Sequence, residues 1–307
     1  MNQHAGHGIV TMHGLADVDR AAVAQLAVLC HQRDGLDLPF NLEGAGPGHG
    51  KAVNQVLYYR DGELIGFVSL EGGQPIEVCG MVHPAHRRKG IGRALLAAAQ
   101  DECRRRGLYS LLLVCDEAAR SGRAFVAAVG AQYRFAEHRM VLDRAGISRP
   151  QLRPDALQLR PATTEDAGVL ASLIAASFGD PEDEVWQRVV QWLQEPSRRF
   201  YMATLHDKPI GSLGAAGFGP RVYITAFGVL PEHRGRGYGR QMLVDTIDLL
   251  LAESWQQVLI EVETENRNAL SLYQSCGFKE AATYGFYHLE IDTVPRWAPE
   301  SAACASL

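Results

Sequence analysis

The stretch "VLPEHRGRGYGRQML", Val229–Leu243, interleaves Gly235, Gly237 and Gly239 with Arg234, Arg236 and Arg240 between an apolar run and an amphipathic one. A strand that ends in glycine-rich chain and feeds a helix leaves backbone N–H groups unpaired at the positive end of the helix dipole, which suits a phosphate. Glycine has no Cβ to block that approach, and the arginines add charge. The spacing GxGxG is not the dinucleotide GxGxxG, and no GK[ST] follows, so neither a Rossmann site nor a P-loop is indicated. Downstream, "NRNALSLYQSCGF", Asn266–Phe278, puts Tyr273 on a short helix. In "LIEVETEN", Glu261 and Glu263 share one face of a strand by alternation.

The elements that must hold these groups occur twice. "VHPAHRRKGIGRALL", Val82–Leu96, matches the first phrase at an offset of 147 residues with eight of fifteen positions identical, and the same offset pairs Gly130 with Gly277. The chain is a tandem duplication. The second copy predicts a strand at "LQLRPAT", a helix over Thr164–Phe178, and a second helix capped by Asp180, opened by Pro181 and running through Leu193. Strands follow over Phe200–His206, Pro209–Phe218 and Val222–Leu230. A helix carrying Leu243, Ile247 and Leu250, a strand at Val258–Val262, a helix at Asn266–Cys276 and a terminal pair of strands over Phe278–Ile291 complete it. "DRAGISRPQLRPD", Asp143–Asp155, reads as a polar connection with two prolines. The expected division is an N-terminal domain at 1–147, a linker at 148–155, a C-terminal domain at 156–294 and a tail at 295–307.

"RGRGYG", Arg234–Gly239, resembles the R/Q-x-x-G-x-G/A signature of the GNAT superfamily of N-acyltransferases, and Asn266–Phe278 resembles its N-x-x-A-x-x-L-Y-x-x-x-G-F motif. "RRKGIG", Arg87–Gly92, fits the first signature in the other copy. The resemblance implies two mixed α/β domains, each with a central, mostly antiparallel sheet flanked by helices, and acetyl-CoA as donor with no metal. It implies that Arg234, Gly235, Arg236, Gly237, Tyr238, Gly239 and Arg240 hold the pyrophosphate. The main chain of Phe227 and Val229, with Asn266, would hold the pantetheine arm. Tyr273 becomes the general acid toward the departing sulfur. Many members place a glutamate eight residues before the proline that ends the fourth strand, where Tyr223 stands here. Glu261, five residues before Asn266, is instead placed similarly to the glutamate used as base by ribosomal-protein alanine acetyltransferases, and either it or Glu263 on the same strand face could act through water. A second cofactor site would use Val82, Arg87, Arg88, Lys89, Gly90, Ile91, Gly92 and Arg93. At the 147 offset, however, Tyr273 becomes Val126, Asn266 becomes Ala119 and Glu261 becomes Val114, so the first copy is expected to lack the chemistry.

The resemblance implies an amine acceptor, on a small molecule or a peptide. The tandem plan is similar to mycothiol synthase, which brings a cysteinyl sugar amine as an alternative; a non-catalytic acyl-CoA-binding protein is the other. With 307 residues, 47% apolar and 21% charged, the composition is that of a globular chain of two domains. The longest apolar runs are too short for a membrane span, and a net charge of −5 gives no general attraction to nucleic acid. Six cysteines without a CxxC or a close histidine argue against structural zinc and a disulfide framework, and the N-terminus has no signal-peptide pattern, so a cytoplasmic location is expected. Cys79 and Cys115 read as packing residues, His83 and His86 as phosphate or solvent contacts. Trp186 and Trp192 could line the acceptor cleft or its supporting core, and the acidic "DPEDE" could attract a cation or simply favour a helix start.

Overall fold

The computed structural model describes residues 7–36, 53–72, 75–147 and 157–291. The first repeat runs β1 (Gly8–Met12), α1 (Asp17–Asp34), β2 (Gln55–Arg60), β3 (Glu63–Glu71), β4 (Ile76–Val82), α2 (Ile91–Arg105), β5 (Ser110–Asp116), α3 (Arg120–Ala128), β6 (Gln132–Leu142). The second runs β7 (Gln158–Pro161), α4 (Ala167–Phe178), α5 (Glu182–Trp192), β8 (Arg198–Leu205), β9 (Lys208–Phe218), β10 (Arg221–Val229), α6 (Tyr238–Leu251), β11 (Gln257–Glu263), α7 (Arg267–Ser275), β12 (Phe278–Glu290). Both repeats are mixed α/β, as expected.

The compact units do not coincide with the repeats. One unit comprises residues 1–135 with 284–307, and the other is the continuous stretch 136–283. In the first unit the sheet order is β1-β2-β3-β4-β5-β12, and in the second it is β7-β8-β9-β10-β11-β6. Each sheet therefore finishes on a strand from the other repeat: Tyr284–Glu290 of β12 pairs with β5, and Glu137–Val141 of β6 pairs with β11. Duplication fixes the order of elements along the chain, but strand pairing is non-local, and the boundary at 148–155 carries no sign of the exchange. Of the expected connection, Asp143–Ile147 is structured; the Asp143 N–H donates to Gly277 O at 2.9 Å and its carboxylate pairs with Lys279 at 2.6 Å. Residues 148–156 and the tail expected at 295–307 lie outside the described residues.

Within each sheet every neighbouring pair is antiparallel except β4–β5 and β10–β11, which are parallel and joined through α2 and α6. Helix α6 buries Met242, Leu243, Ile247 and Leu250, at helical spacing, against Val258, Ile260 and Val262 of β11. Helices α4 and α5 cover the opposite face over Phe200 and Met202. In the first unit α2 and α3 cover one face and α1 the other.

Two expected elements differ. Asp180 is not the cap of α5: the N-cap is Pro181, whose carboxyl-free side chain makes no capping bond, and Asp180 instead pairs with Arg188 at 3.2 Å. The expected terminal pair of strands is the single strand β12, thirteen residues long. Gly285 sits in extended pairing with Cys115 rather than in a turn, because the strand must run on to reach β5.

Candidate active site

Strand β10 ends at Val229, a single turn at Pro231–His233 follows, and α6 starts at Tyr238 with Gly237 as its N-cap at φ +86°. No side chain caps the helix, so the amides of residues 238–240 open outward without intrahelical acceptors. Gly235 lies at φ +71°. Arg236 is exposed and Arg240 half-buried, and neither enters an ion pair among the described residues. The Tyr238 ring is buried, which leaves its amide to the cradle. This arrangement fits a pyrophosphate. Arg234, grouped with those ligands from sequence, also braces the loop: Nε donates to Val229 O at 2.8 Å and Nη2 to Ser177 O at 2.7 Å, fastening the strand end to the end of α4 and leaving Nη1 outside both bonds.

Beside the cradle the sheet opens. β10 and β11 pair only from Arg221↔Gln257 to Ile224↔Ile260. A bulge between Thr225 and Gly228, with Ala226 at φ +46°, then bends β10 away. Leu230 N–H donates to Ile210 O of β9, so alternation turns the amides of Val229 and Phe227 toward the gap. That is the edge against which an extended arm would lie.

Tyr273 on α7 is buried, with its ring 6.1 Å from Phe227 and 6.3 Å from Phe278. Burial pushes its pKa up to about 12, and its hydroxyl has no hydrogen-bond partner among the described residues. It shares a core with Val258, Ile260 and Val262, so alternation puts Glu261 and Glu263 on the other face of β11. Acid and carboxylate thus stand on opposite faces and can meet one ligand only through the gap. Glu261 accepts from Arg139 Nε at 3.0 Å, and the Arg139 guanidinium lies 5.6 Å from the centre of the Tyr223 ring. Burial raises the Tyr223 pKa, an effect that the nearby Arg139 charge opposes. Asn266 caps α7, its Oδ1 accepting from Ala269 N–H at 3.2 Å. Trp192 stacks on Phe200 between Arg188 and Arg198 and belongs to the supporting core, whereas Trp186 is 45% exposed.

The first unit has the same opening. β4 and β5 pair only over Ile76–Val78 and Leu111–Leu113, and beyond them lies a cavity of about 400 Å³ bordered by Met81, Arg87, Gly90, Cys115, Ala119 and Phe125. Gly90 repeats the N-cap conformation at φ +84°, and Arg87 Nε donates to Val82 O at 3.1 Å as Arg234 does to Val229. The rest differs. Asp34 takes both Arg87 nitrogens, at 2.9 and 2.6 Å. Arg88 adopts φ +63° where the second unit has Gly235. Lys89 turns back to Ala85 O and Arg93 to Ala128 O, so these two cations are drawn to carbonyls. His83 accepts from Ala85 N–H and serves its turn, while His86 faces Arg60. Cys79 and Cys115 are buried, and burial pushes the Cys115 thiol up to about 12, which leaves it no thiolate near neutrality.

β4 has no bulge: its register with β3 is regular from Gly66↔Val82 to Glu71↔Glu77. The count between repeats therefore shifts by one, and the counterpart of Tyr223, opposite Leu259, is Glu77, opposite Leu112. A fixed offset of 147 points to Ile76 and misses it. Arg139, Asp34 and Ser177 were likewise not singled out from sequence; all three act through partners more than fifty residues away.

Residues 21–130 and 169–278 each match the model of the acetyltransferase (GNAT) family. The chain belongs to this family. It is 29% identical over 283 residues to a mycothiol acetyltransferase of Thermobispora bispora, covering 85% of this chain and 92% of that one. A mycothiol acetyltransferase of Kineococcus radiotolerans is 31% identical over 285 residues, covering 85% and 90%. Among solved structures, a GCN5-related N-acetyltransferase from Sphaerobacter thermophilus superposes with a TM-score of 0.74 at 18% identity, covering 92% of this chain and 96% of that one. A tandem GNAT protein from the clavulanic acid biosynthesis pathway gives 0.73 at 19% identity, covering 94% and 99%. These two share the fold. The protein is an acetyltransferase acting on an amine, and GNAT proteins use acetyl-CoA as donor. No helix among the described residues is long and apolar enough to cross a membrane.

Proposed function

We propose that the unit at 136–283 carries out acetyl transfer from acetyl-CoA to a small-molecule amine, with Tyr273 as general acid and Glu261 as general base. The observation that carries this reading is the placement of the two on opposite faces of β11, at the point where β10 and β11 part. The amides of 238–240, with Gly235, Arg236, Gly237 and Arg240, would hold the pyrophosphate, and the Phe227 and Val229 main chain the pantetheine arm, with the Asn266 amide nitrogen beside it. Bound there, acetyl-CoA supplies a thioester carbonyl and a thiolate leaving group. The Val229 amide is set to meet charge developing on the carbonyl oxygen. Glu261 takes a proton from the acceptor ammonium, directly or through water, because an alkylammonium with a pKa of about 10.4 has no lone pair at neutral pH. Tyr273, held protonated by burial, gives its proton to sulfur.

A cysteinyl sugar amine is the second acceptor reading, favoured by the match to mycothiol acetyltransferases along most of the chain. The first unit would bind a CoA-like ligand in its cavity without chemistry, since Val126 has no proton to give. Free cysteines at 30, 79, 103, 115 and 276 suit a cytoplasmic location. The test is thiol release from acetyl-CoA across a panel of amines that includes cysteinyl glycosides. Turnover with a defined amine, lost in Glu261→Gln, is expected; no turnover with any amine would leave an acyl-CoA-binding protein.

A further inference from the structure

We infer that Arg139 is a positioning residue for the acetyl-transfer reaction, lent to the second unit by the last strand of the first repeat; this rests on Glu261 being the base. Arg139 and Glu261 are direct cross-strand partners on β6 and β11, joined Nε to Oε1 at 3.0 Å, with the arginine side chain 8% exposed and the glutamate 38%. The guanidinium does not end there. It extends back across β11 to lie 5.6 Å from the Tyr223 ring on β10, so one cation bridges three adjacent strands on the face where the acceptor must arrive. Its bond fixes Oε1, and Glu261 Oε2 has no partner among the described residues, which leaves that oxygen to receive a proton.

Charge supports the same role. Glu137 and Glu263 are also cross-strand partners on this face, one alternation from Arg139 and Glu261. Like charges directly opposite one another repel, and Arg139 is the cation placed among these three carboxylates. Glu261 would otherwise turn toward solvent, away from its like-charged neighbours.

The sister unit shows that the fold does not require this ion pair. At the same register β12 and β5 carry Phe286 opposite Val114, an apolar pair, and Phe286 stacks on Phe135 at 4.5 Å. Exchange of even a buried ion pair for apolar residues of similar volume is often neutral for stability, and this pair is only partly buried. The pair at 139 and 261 is retained in the unit that has Tyr273 and replaced in the unit that has Val126, so its use lies in the chemistry.

The experiment is a double-mutant cycle on the full chain, with Arg139→Met, Arg139→Lys, Glu261→Gln and the double variant Arg139→Met/Glu261→Gln. Steady-state kinetics would be measured beside acetyl-CoA calorimetry and melting curves. Arg139→Met should lower kcat at least tenfold with acetyl-CoA affinity unchanged, Arg139→Lys should recover part of it, and Arg139→Met should cost less than twofold further in the Glu261→Gln background. Losses that multiply independently, or full kcat in folded Arg139→Met beside an impaired Glu261→Gln, would overturn the inference. Full turnover by Glu261→Gln would instead remove the base assignment beneath it. Should Arg139→Met not fold, Arg139→Lys carries the test: wild-type kcat there would mean that neither the fork nor the stacking on Tyr223 matters.

Discussion

The gap between β4 and β5 and the gap between β10 and β11 are built alike: a parallel pair that parts after three or four residues, a left-handed glycine before the helix, and an arginine whose Nε holds the strand's last carbonyl. They differ in a few side chains and one bulge. Where one unit has Tyr273, Asn266 and the Arg139–Glu261 pair, the other has Val126, Ala119 and the Phe286–Val114 pair. The cradle backbone is common to both units; the side chains proposed for the chemistry are not. Arg88 holds a left-handed conformation that costs an L-residue about 1–2 kcal/mol, so the loop shape in the first unit is imposed by its surroundings.

The largest expected effect that could break this contrast is at Tyr273. Tyr273→Phe should lower kcat about a hundredfold or more and leave acetyl-CoA affinity intact. Because the phenol titrates only at about 12, the shape of the pH–rate profile from about pH 6 to 10 should be the same in both proteins, at different heights. Undiminished turnover would make Tyr273 a packing residue. Next, Gly237→Val forces a branched side chain into φ +86° at the mouth of the cradle and should abolish acetyl-CoA binding by calorimetry. Gly90→Val, at φ +84°, should lower the melting temperature and leave turnover per folded molecule unchanged. Equal loss of turnover from the two would end the division of labour.

Smaller effects sharpen the comparison. Arg88→Gly should stabilise the protein by about 1 kcal/mol in denaturant titration, and Gly235→Arg should cost a similar amount, because both sites hold positive φ. Asp34 gives the smallest change. Its hydrogen bond to Arg87 lowers the carboxyl pKa in the folded state, so it contributes stability above the usual carboxylate range of about 3.9 that is lost as pH falls through the lowered value. Asp34→Asn should remove about 0.5 kcal/mol at pH 7 and flatten stability against pH in the acid range. An unchanged acid slope would show that the pair has no energetic weight.

The duplication, the cradles and the α7 motif were legible in the sequence because each is a local pattern of spacing. Tyr273 could be found by its distance from Asn266 and Gly277 along one helix. Arg139 could not, since its meaning comes from Glu261, 122 residues away in the chain. Glu77 was hidden by the bulge at Thr225–Gly228, which adds a residue to one copy and makes any fixed offset wrong on that strand. Arg234 has the right type and spacing for a phosphate ligand; only the geometry shows that two of its three nitrogens also donate to carbonyls. The pyrrolidine of Pro181 occupies the cap position that Asp180 suggested, and nothing local distinguishes the two.

The exchanged strands also set an order of completion during synthesis. The unit at 136–283 is continuous, so all its parts have been synthesised when residue 283 is made, whereas the unit that begins at residue 1 still lacks β12. Tyr287 and its hydrogen-bond partner Glu117 lie 170 residues apart, an interval on the order of ten to thirty seconds at usual translation rates. Through that interval the edge of β5, with the apolar run Leu111–Val114, has no strand to cover it. An open apolar edge is a template for association with other chains. The half of the protein made first is therefore finished last, and it is the half that a nascent chain most needs to have shielded.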